Sequence, residues 1–174
     1  MHKVAILTYD NAALFELACA TELFGLSRPE FDSWYECEVV TFSEGPLSAT
    51  AGVQLLGKQV KHLDNYSVLV VPSWPTENAS VPDVVDKAIK KFHRDGKRIL
   101  SFCSGAFLLA ELGLLNGRKA STHWRYAELF QRRYPLVTYV DDVLYVYDGT
   151  IGCSAGSSAA IDLGIEVIRG DFGY

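Results

Sequence analysis

Four cysteines are all this 174-residue sequence has, and Cys19, Cys37, Cys103 and Cys153 are scattered without a CxxC pair or Cys/His ligand spacing. That argues against a disulfide framework and a zinc site, so they read as free thiols, with no metal or cofactor expected. Basic charge is also scarce. Sixteen Lys and Arg against 21 Asp and Glu leave a net charge of −5, and no predicted helix carries several Lys or Arg on one face. Nucleic-acid contact by this segment itself is therefore not expected. No apolar run approaches the roughly 18 to 20 residues of a membrane span, and His2-Lys3 leads straight into a strand without a signal-peptide pattern. A cytoplasmic protein with no membrane partner is expected. Internal repeats, low-complexity tracts and interdomain linkers are missing too, so residues 1–174 are expected to form one domain.

Hydrophobic residues make up 49% of the chain and charged ones 21%, enough for a sizeable core. Strand-like and helix-like segments alternate. Lys3 to Tyr9, Trp34 to Phe42, Ser67 to Pro72 and Ile99 to Phe102 are apolar runs of strand length. Between and after them, Leu14 to Leu26, Val81 to Arg94 and Phe107 to Leu115 show three-to-four-residue apolar spacing. Such alternation implies an α/β three-layer sandwich with a mostly parallel central sheet, because parallel neighbours need crossover connections. Small antiparallel additions are expected in Leu47 to Val60 and among Val137 to Asp141, Val143 to Tyr147 and Thr150 to Cys153, where turn residues separate short apolar pieces.

The organising stretch is Lys97 to Leu115. Cys103 stands where the strand must reverse into the next helix, flanked by small Ser101 and Gly105, as in a nucleophile elbow. The first free amides of the helix, beginning near Ser104, face the same point and should bias the thiol towards thiolate. Filling a core is the plain alternative. Glu16, in the first turns of the first helix, and His123, where Lys119 to Thr122 meets the Arg125 to Tyr134 helix, map to the same carboxyl edge of the sheet. For these the plain readings are a helix-dipole partner and a surface or capping residue. The Ser73-Trp74 turn lies at that edge as well, with Trp74 as pocket wall or packing aromatic. A thiol, an imidazole and a carboxyl suffice for addition to a carbonyl or nitrile carbon, and amides at Ser104 and Ser73-Trp74 would form an oxyanion hole.

The run CSGAFLLAELGLLNGRKASTHW, Cys103 to Trp124, together with FELACATELFG, Phe15 to Gly25, and the SAGSSAAIDLGIEVIR segment, carries an end-to-end resemblance. The chain resembles the ThiJ/PfpI superfamily, whose fold is that of class I glutamine amidotransferase domains. It is most similar to the branch found as the N-terminal domain of AraC-type transcriptional regulators. By position, Cys103 matches the elbow nucleophile, His123 the histidine that partners it in catalytic members, and Glu16 the acid against the cysteine. Two departures stand out: Ser73-Trp74 where many members have glycine, and Cys153 where Thr is expected. The resemblance implies a ligand-sensing domain that dimerises and binds a small molecule in a Cys103 pocket. Ser104, Gly105, Ser73, Trp74 and Trp124 are the expected ligand-binding residues. DNA would be met only through helix-turn-helix units absent from this chain. The resemblance also implies an enzymatic alternative, a cysteine-dependent isonitrile hydratase, amidase or glyoxalase-like protein using Cys103, His123 and Glu16. A third reading is a thiol oxidation sensor, because an accessible low-pKa cysteine is also the one that peroxide modifies.

Overall fold

The computed structural model describes residues 2–77 and 80–173; the two ends of the expected 1–174 unit, Met1 and Tyr174, lie outside them. In chain order the strands are β1 (Lys3–Leu7), β2 (Glu36–Thr41), β3 (Leu47–Ser48), β4 (Gln54–Leu55), β5 (Lys58–Gln59), β6 (Val68–Val71), β7 (Arg98–Ser101), β8 (Lys119–Ala120), β9 (Thr138–Tyr139), β10 (Tyr145–Tyr147) and β11 (Ile151–Ser154). The helices are α1 (Leu14–Gly25), α2 (Asp83–Arg94), α3 (Ala106–Glu111), α4 (Ala127–Arg133) and α5 (Ala159–Phe172). Seven strands form one sheet in the order β10-β11-β7-β6-β1-β2-β5. All its neighbours are parallel except β10 and β11.

Alternation along β1 explains the layering. Val4 and Ile6 pack with Leu17, Ala20 and Phe24 of α1 and with Ala160, Leu163 and Val167 of α5. Ala5 and Leu7 point the other way, into a core with Val85, Ile89 and Phe92 of α2, Phe107 and Leu108 of α3 and Phe130 of α4. Continuous apolar strands are what a sheet covered on both faces requires. Gly164 lets α1 and α5 approach closely, since a Cβ there would fall 2.4 Å from Leu23 Cδ1. After β1 the chain goes to β2 on one side and returns to β6 on the other. That reversal opens a crevice at the carboxyl ends of β1 and β6, the usual ligand position in such sheets.

Two local expectations are corrected. Residues 137–141 do not join an antiparallel series: β9 pairs parallel with β8 in a separate two-stranded sheet. The α4 crossover between them returns the chain in the same direction, and parallel strands need such a crossover. The helix after Cys103 is also shorter than its apolar spacing suggests. It ends at Glu111, and Gly113 and Gly117 take positive φ in the turns that follow. The small antiparallel additions are present as β3 with β4 and β10 with β11.

Candidate functional site

Cys103 occupies the bend after β7 with a φ of +50°, a left-handed conformation that costs a non-glycine residue on the order of 1 to 3 kcal/mol. Surrounding bonds hold it there. Phe102 N–H donates to the Val71 carbonyl at 2.9 Å, Gly105 N–H to the Phe102 carbonyl at 2.7 Å, and Thr122 Oγ1 to the Cys103 carbonyl at 2.7 Å. Gly105 is required, because a Cβ there would lie 2.2 Å from the Val71 carbonyl oxygen. This is the nucleophile elbow read from the sequence.

The sulfur is nearly enclosed, with Cys103 7% exposed and Glu16 6% exposed. Its thiol hydrogen-bonds the Glu16 carboxylate, and the backbone N–H groups of Ser104 and Ser157 point at it. Burial, and then the Glu16 charge, push the thiol up to about 11; the two amides oppose this and lose. The expected bias towards thiolate is thereby overturned. The sequence showed the helix amides but not the degree of enclosure, and desolvation beside a like charge outweighs two dipoles. At neutral pH a thiol raised that far keeps its proton.

His123 follows β8, outside the main sheet, yet Thr122 ties its segment to the elbow. Among the described residues no hydrogen bond joins His123 to Cys103. Instead its Nδ1 accepts the Arg125 N–H at 3.1 Å, which leaves the ring proton of the neutral imidazole on Nε2. Burial and the Arg125 charge lower its pKa, against the opposing pull of Glu16, so it is neutral at pH 7. A group in that state offers an N–H to a ligand and has no free lone pair to act as a base. The Nε2 edge rests over Gly156, where a Cβ would sit 3.3 Å from Nε2 and 3.0 Å from Cδ2.

The Ser73-Trp74 turn closes the crevice differently from expectation. The Trp74 N–H donates to Ser104 Oγ at 3.1 Å and is occupied, so it is not a free oxyanion donor. Ser73 Oγ accepts from Tyr9 Oη at 3.0 Å and from the Ala13 N–H at 3.4 Å. The Tyr9 and Trp74 rings lie 5.0 Å apart. Ser104 and Gly105 are both buried in the elbow. Trp124 departs furthest: it is 71% exposed and lines a separate cavity with Tyr139 and Asp141, away from the Cys103 enclosure.

Three residues of the enclosure escape sequence reasoning. Ser157 Oγ donates to Glu16 Oε1 at 2.8 Å while its own amide faces Cys103. Tyr9 lies close enough for Glu16 and Cys103 to raise its hydroxyl further, after burial, up to about 12. Gly156 makes room for His123. The SAGSS run was visible as a helix start, and its dense small hydroxyl and glycine content was the one signal available. Cys153 stays in the core beside Ser101, its thiol pushed up to about 11 by burial. Among the described residues no group of three or more His, Cys, Asp or Glu could hold a metal, and no helix is long and apolar enough to cross a membrane.

Similar proteins fit this architecture. The chain is 33% identical over 166 residues to the HTH-type transcriptional regulator GlxA of Rhizobium meliloti, covering 94% of this chain and 51% of the regulator. It is 32% identical over 136 residues to the HTH-type transcriptional regulator CdhR of Pseudomonas aeruginosa, covering 77% and 40%. An isonitrile hydratase of Pseudomonas putida is 29% identical over 128 residues, with 71% of this chain and 54% of that protein covered. The chain thus spans about half or less of these relatives' length. The crystal structure of an AraC family transcriptional regulator from Pseudomonas putida shares the fold with a TM-score of 0.87 at 14% identity, covering 99% of this chain and 94% of that one. The DJ-1/PfpI family matches residues 2–170. With the elbow cysteine, its acid and the seven-stranded sheet in place, the chain belongs to the DJ-1/PfpI family.

Proposed function

We propose that this regulator-like domain senses a small molecule at the Cys103 enclosure and belongs to an AraC-type transcriptional regulator whose DNA-binding part lies outside these 174 residues. The single observation that carries the reading is the enclosure of the Cys103–Glu16 pair, both nearly buried, without help from the imidazole, because His123 Nδ1 accepts the Arg125 N–H. A site poised this way favours binding over turnover. Similarity to GlxA and CdhR supports the regulatory context. Ser104, Gly105, Ser73 and Trp74 would shape the ligand's surroundings. The domain would work in the cytoplasm as a homodimer. The apolar groove of about 570 Å³ between α1 and α5, with Phe15, Ile161 and Ile165 on its walls, is in keeping with that assembly.

The enzymatic reading keeps its own support, the isonitrile hydratase relative and the Cys103–Glu16 hydrogen bond. In such a reaction sulfur bonds to the isonitrile carbon, the thiol proton passes through Glu16 to that carbon, and water then releases the thiol and a formamide. One experiment separates the two. Thermal shifts of the protein and of Cys103→Ser are measured across a metabolite set, alongside turnover of isonitriles, dicarbonyls and amides. A ligand that raises the Tm in a Cys103-dependent manner without being consumed supports sensing. Cys103-dependent turnover removes it in favour of catalysis.

A further inference from the structure

A cavity of about 140 Å³ lies at the carboxyl ends of β1 and β2, against the first turn of α2. Leu7, Thr8 and Tyr9 form one side, Trp74 another, and Val84 and Val85 the helix side, while neither Cys103 nor Glu16 lines it. We propose that this cavity binds a small neutral carbonyl compound. The carbonyl oxygen accepts hydrogen bonds from the Trp74 indole N–H and the Thr8 hydroxyl, and the alkyl part rests on Leu7, Phe42 and Val85. The inference stands apart from the sensing role of Cys103, because it concerns a different cavity.

Two orphaned polar atoms carry it. Thr8 Oγ1 and Trp74 Nε1 are enclosed and have no hydrogen-bond partner among the described residues, in residues only 2% and 8% exposed. Buried polar groups are almost always paired, and one left alone loses its solvation without return. Other polar side chains of the lining are engaged: Thr41 Oγ1 accepts the Ser43 N–H at 3.1 Å, and Tyr9 Oη donates to Ser73 Oγ at 3.0 Å. Both orphans are turned to the cavity. The Trp74 main chain is anchored on the elbow side, where its N–H donates to Ser104 Oγ at 3.1 Å. Its ring packs in the α2-side core with Leu7 and Val85, which line the cavity too. Thr8 turns its methyl carbon to Gly57, outside the lining, where a Cβ would stand 3.2 Å away. That leaves the hydroxyl as the branch towards the cavity.

The walls select the ligand. An indole N–H donates and cannot accept, so the ligand must bring an acceptor, and a carbonyl oxygen has a lone pair for each of the two donors. No Lys, Arg, His, Asp or Glu is among the described lining residues, so a charged group would be desolvated there without a counter-charge. Asp83 and Asp86 in the first turn of α2 oppose an anion further. The volume suits a molecule the size of benzene, which a cavity of roughly 150 Å³ holds. Trp74 also links the cavity to the elbow, since it holds Ser104, whose amide points at Cys103. Occupation would be felt at the sulfur through that one residue.

The test uses the neutral ketone 3-methyl-2-butanone as probe. Two isosteres serve as controls at equal concentration: isobutyrate, which carries a charge, and 2,3-dimethyl-1-butene, which lacks the oxygen. Binding is followed on the Trp74 indole N–H resonance in two-dimensional NMR, assigned among the three tryptophans with Trp34→Phe and Trp124→Phe. The ketone should move that resonance downfield and saturably, in the wild type and equally in Cys103→Ser. Each isostere should bind at least about threefold more weakly. Thr8→Val replaces an unpaired hydroxyl with a methyl group, so the fold is kept, and it should weaken ketone binding by about threefold or more. A smaller difference for either isostere or for Thr8→Val overturns the proposal, as does the lack of a saturable shift up to about 50 mM ketone. Loss of binding in Cys103→Ser overturns it too, because the ketone would then sit at the elbow.

Discussion

Ser157 Oγ donates a 2.8 Å hydrogen bond to Glu16 Oε1, joining the first helix to the approach of the last across 141 positions of sequence. The bond fixes the carboxylate against Cys103, whose thiol is raised by burial and then by that charge. Glu16→Gln keeps an oxygen for Ser157 to donate to and removes the charge. The thiol should then titrate below its present value of about 11. Reactivity near pH 8 should rise several-fold, less than the roughly tenfold per pKa unit that thiolate population alone gives, because nucleophilicity falls with pKa. Iodoacetamide alkylation of Cys103 against pH, followed by mass spectrometry, measures this. An unmoved or higher midpoint would contradict the assignment of the Glu16 charge as a cause.

The elbow depends on a missing side chain at Gly105. Its Cβ would meet a backbone oxygen, Val71 O, at 2.2 Å, and backbone cannot step aside as a flexible side chain can. Gly105→Ala should destabilise the fold by about 3 kcal/mol or more. Gly170, inside α5 with nothing within 4 Å of its would-be Cβ, provides the contrast. There Ala should add up to about 1 kcal/mol through helix propensity. Urea unfolding of both variants decides it, and equal effects would refute the steric reading.

Much of this site was legible in the chain. The apolar run of Ile99 to Phe102 beside Ser101, Ser104 and Gly105 placed the bend, and the alternation of strands with helices placed Glu16 and the Ser73-Trp74 turn on one edge. What stayed hidden has physical causes. Ser157 meets Glu16 only through tertiary packing of α1 on α5, a separation no local pattern records. The protonation of Cys103 depends on how fully it is desolvated, which emerges only when the crevice is closed. Two-residue strands such as β9 carry too few apolar positions to announce their partner, so turn signals at Asp141-Asp142 suggested a hairpin where the α4 crossover makes a parallel pair.

His123 packs its Cδ2 edge over Gly156, and the opposite Nδ1 is held by the Arg125 amide. A methyl at position 156 would lie 3.0 Å from Cδ2, so the ring has to turn or the segment to shift. Gly156→Ala should leave stability within about 1 kcal/mol, since the contact is with a half-exposed side chain. The His123 ring resonances should shift in two-dimensional NMR, and any Cys103-dependent ligand affinity should fall. Resonances unchanged in position and titration would show that Gly156 does not set the imidazole.

At the opposite end of the sheet, Asp171 near the end of α5 accepts a two-pronged bond from Arg98 of β7 at 2.8 and 2.9 Å, and a 2.5 Å bond from Tyr35 Oη. Burial works to raise this carboxyl, and the Arg98 and Tyr35 hydrogen bonds overcome it, leaving the pKa below the ordinary value of 3.8. Because the folded value is depressed, the stabilisation is fully present above the unfolded-state pKa and is lost as pH falls through the folded one. Asp171→Asn leaves the mostly buried Arg98 guanidinium without its counter-charge and should cost about 3 kcal/mol at pH 7. Removing the charge from both partners, in Arg98→Met with Asp171→Asn, should recover part of that loss. Urea midpoints at pH 7 and pH 3 measure the sign. The wild type should lose more stability on acidification than Asp171→Asn does, and an equal loss in both would show that the acid sensitivity of the fold lies elsewhere.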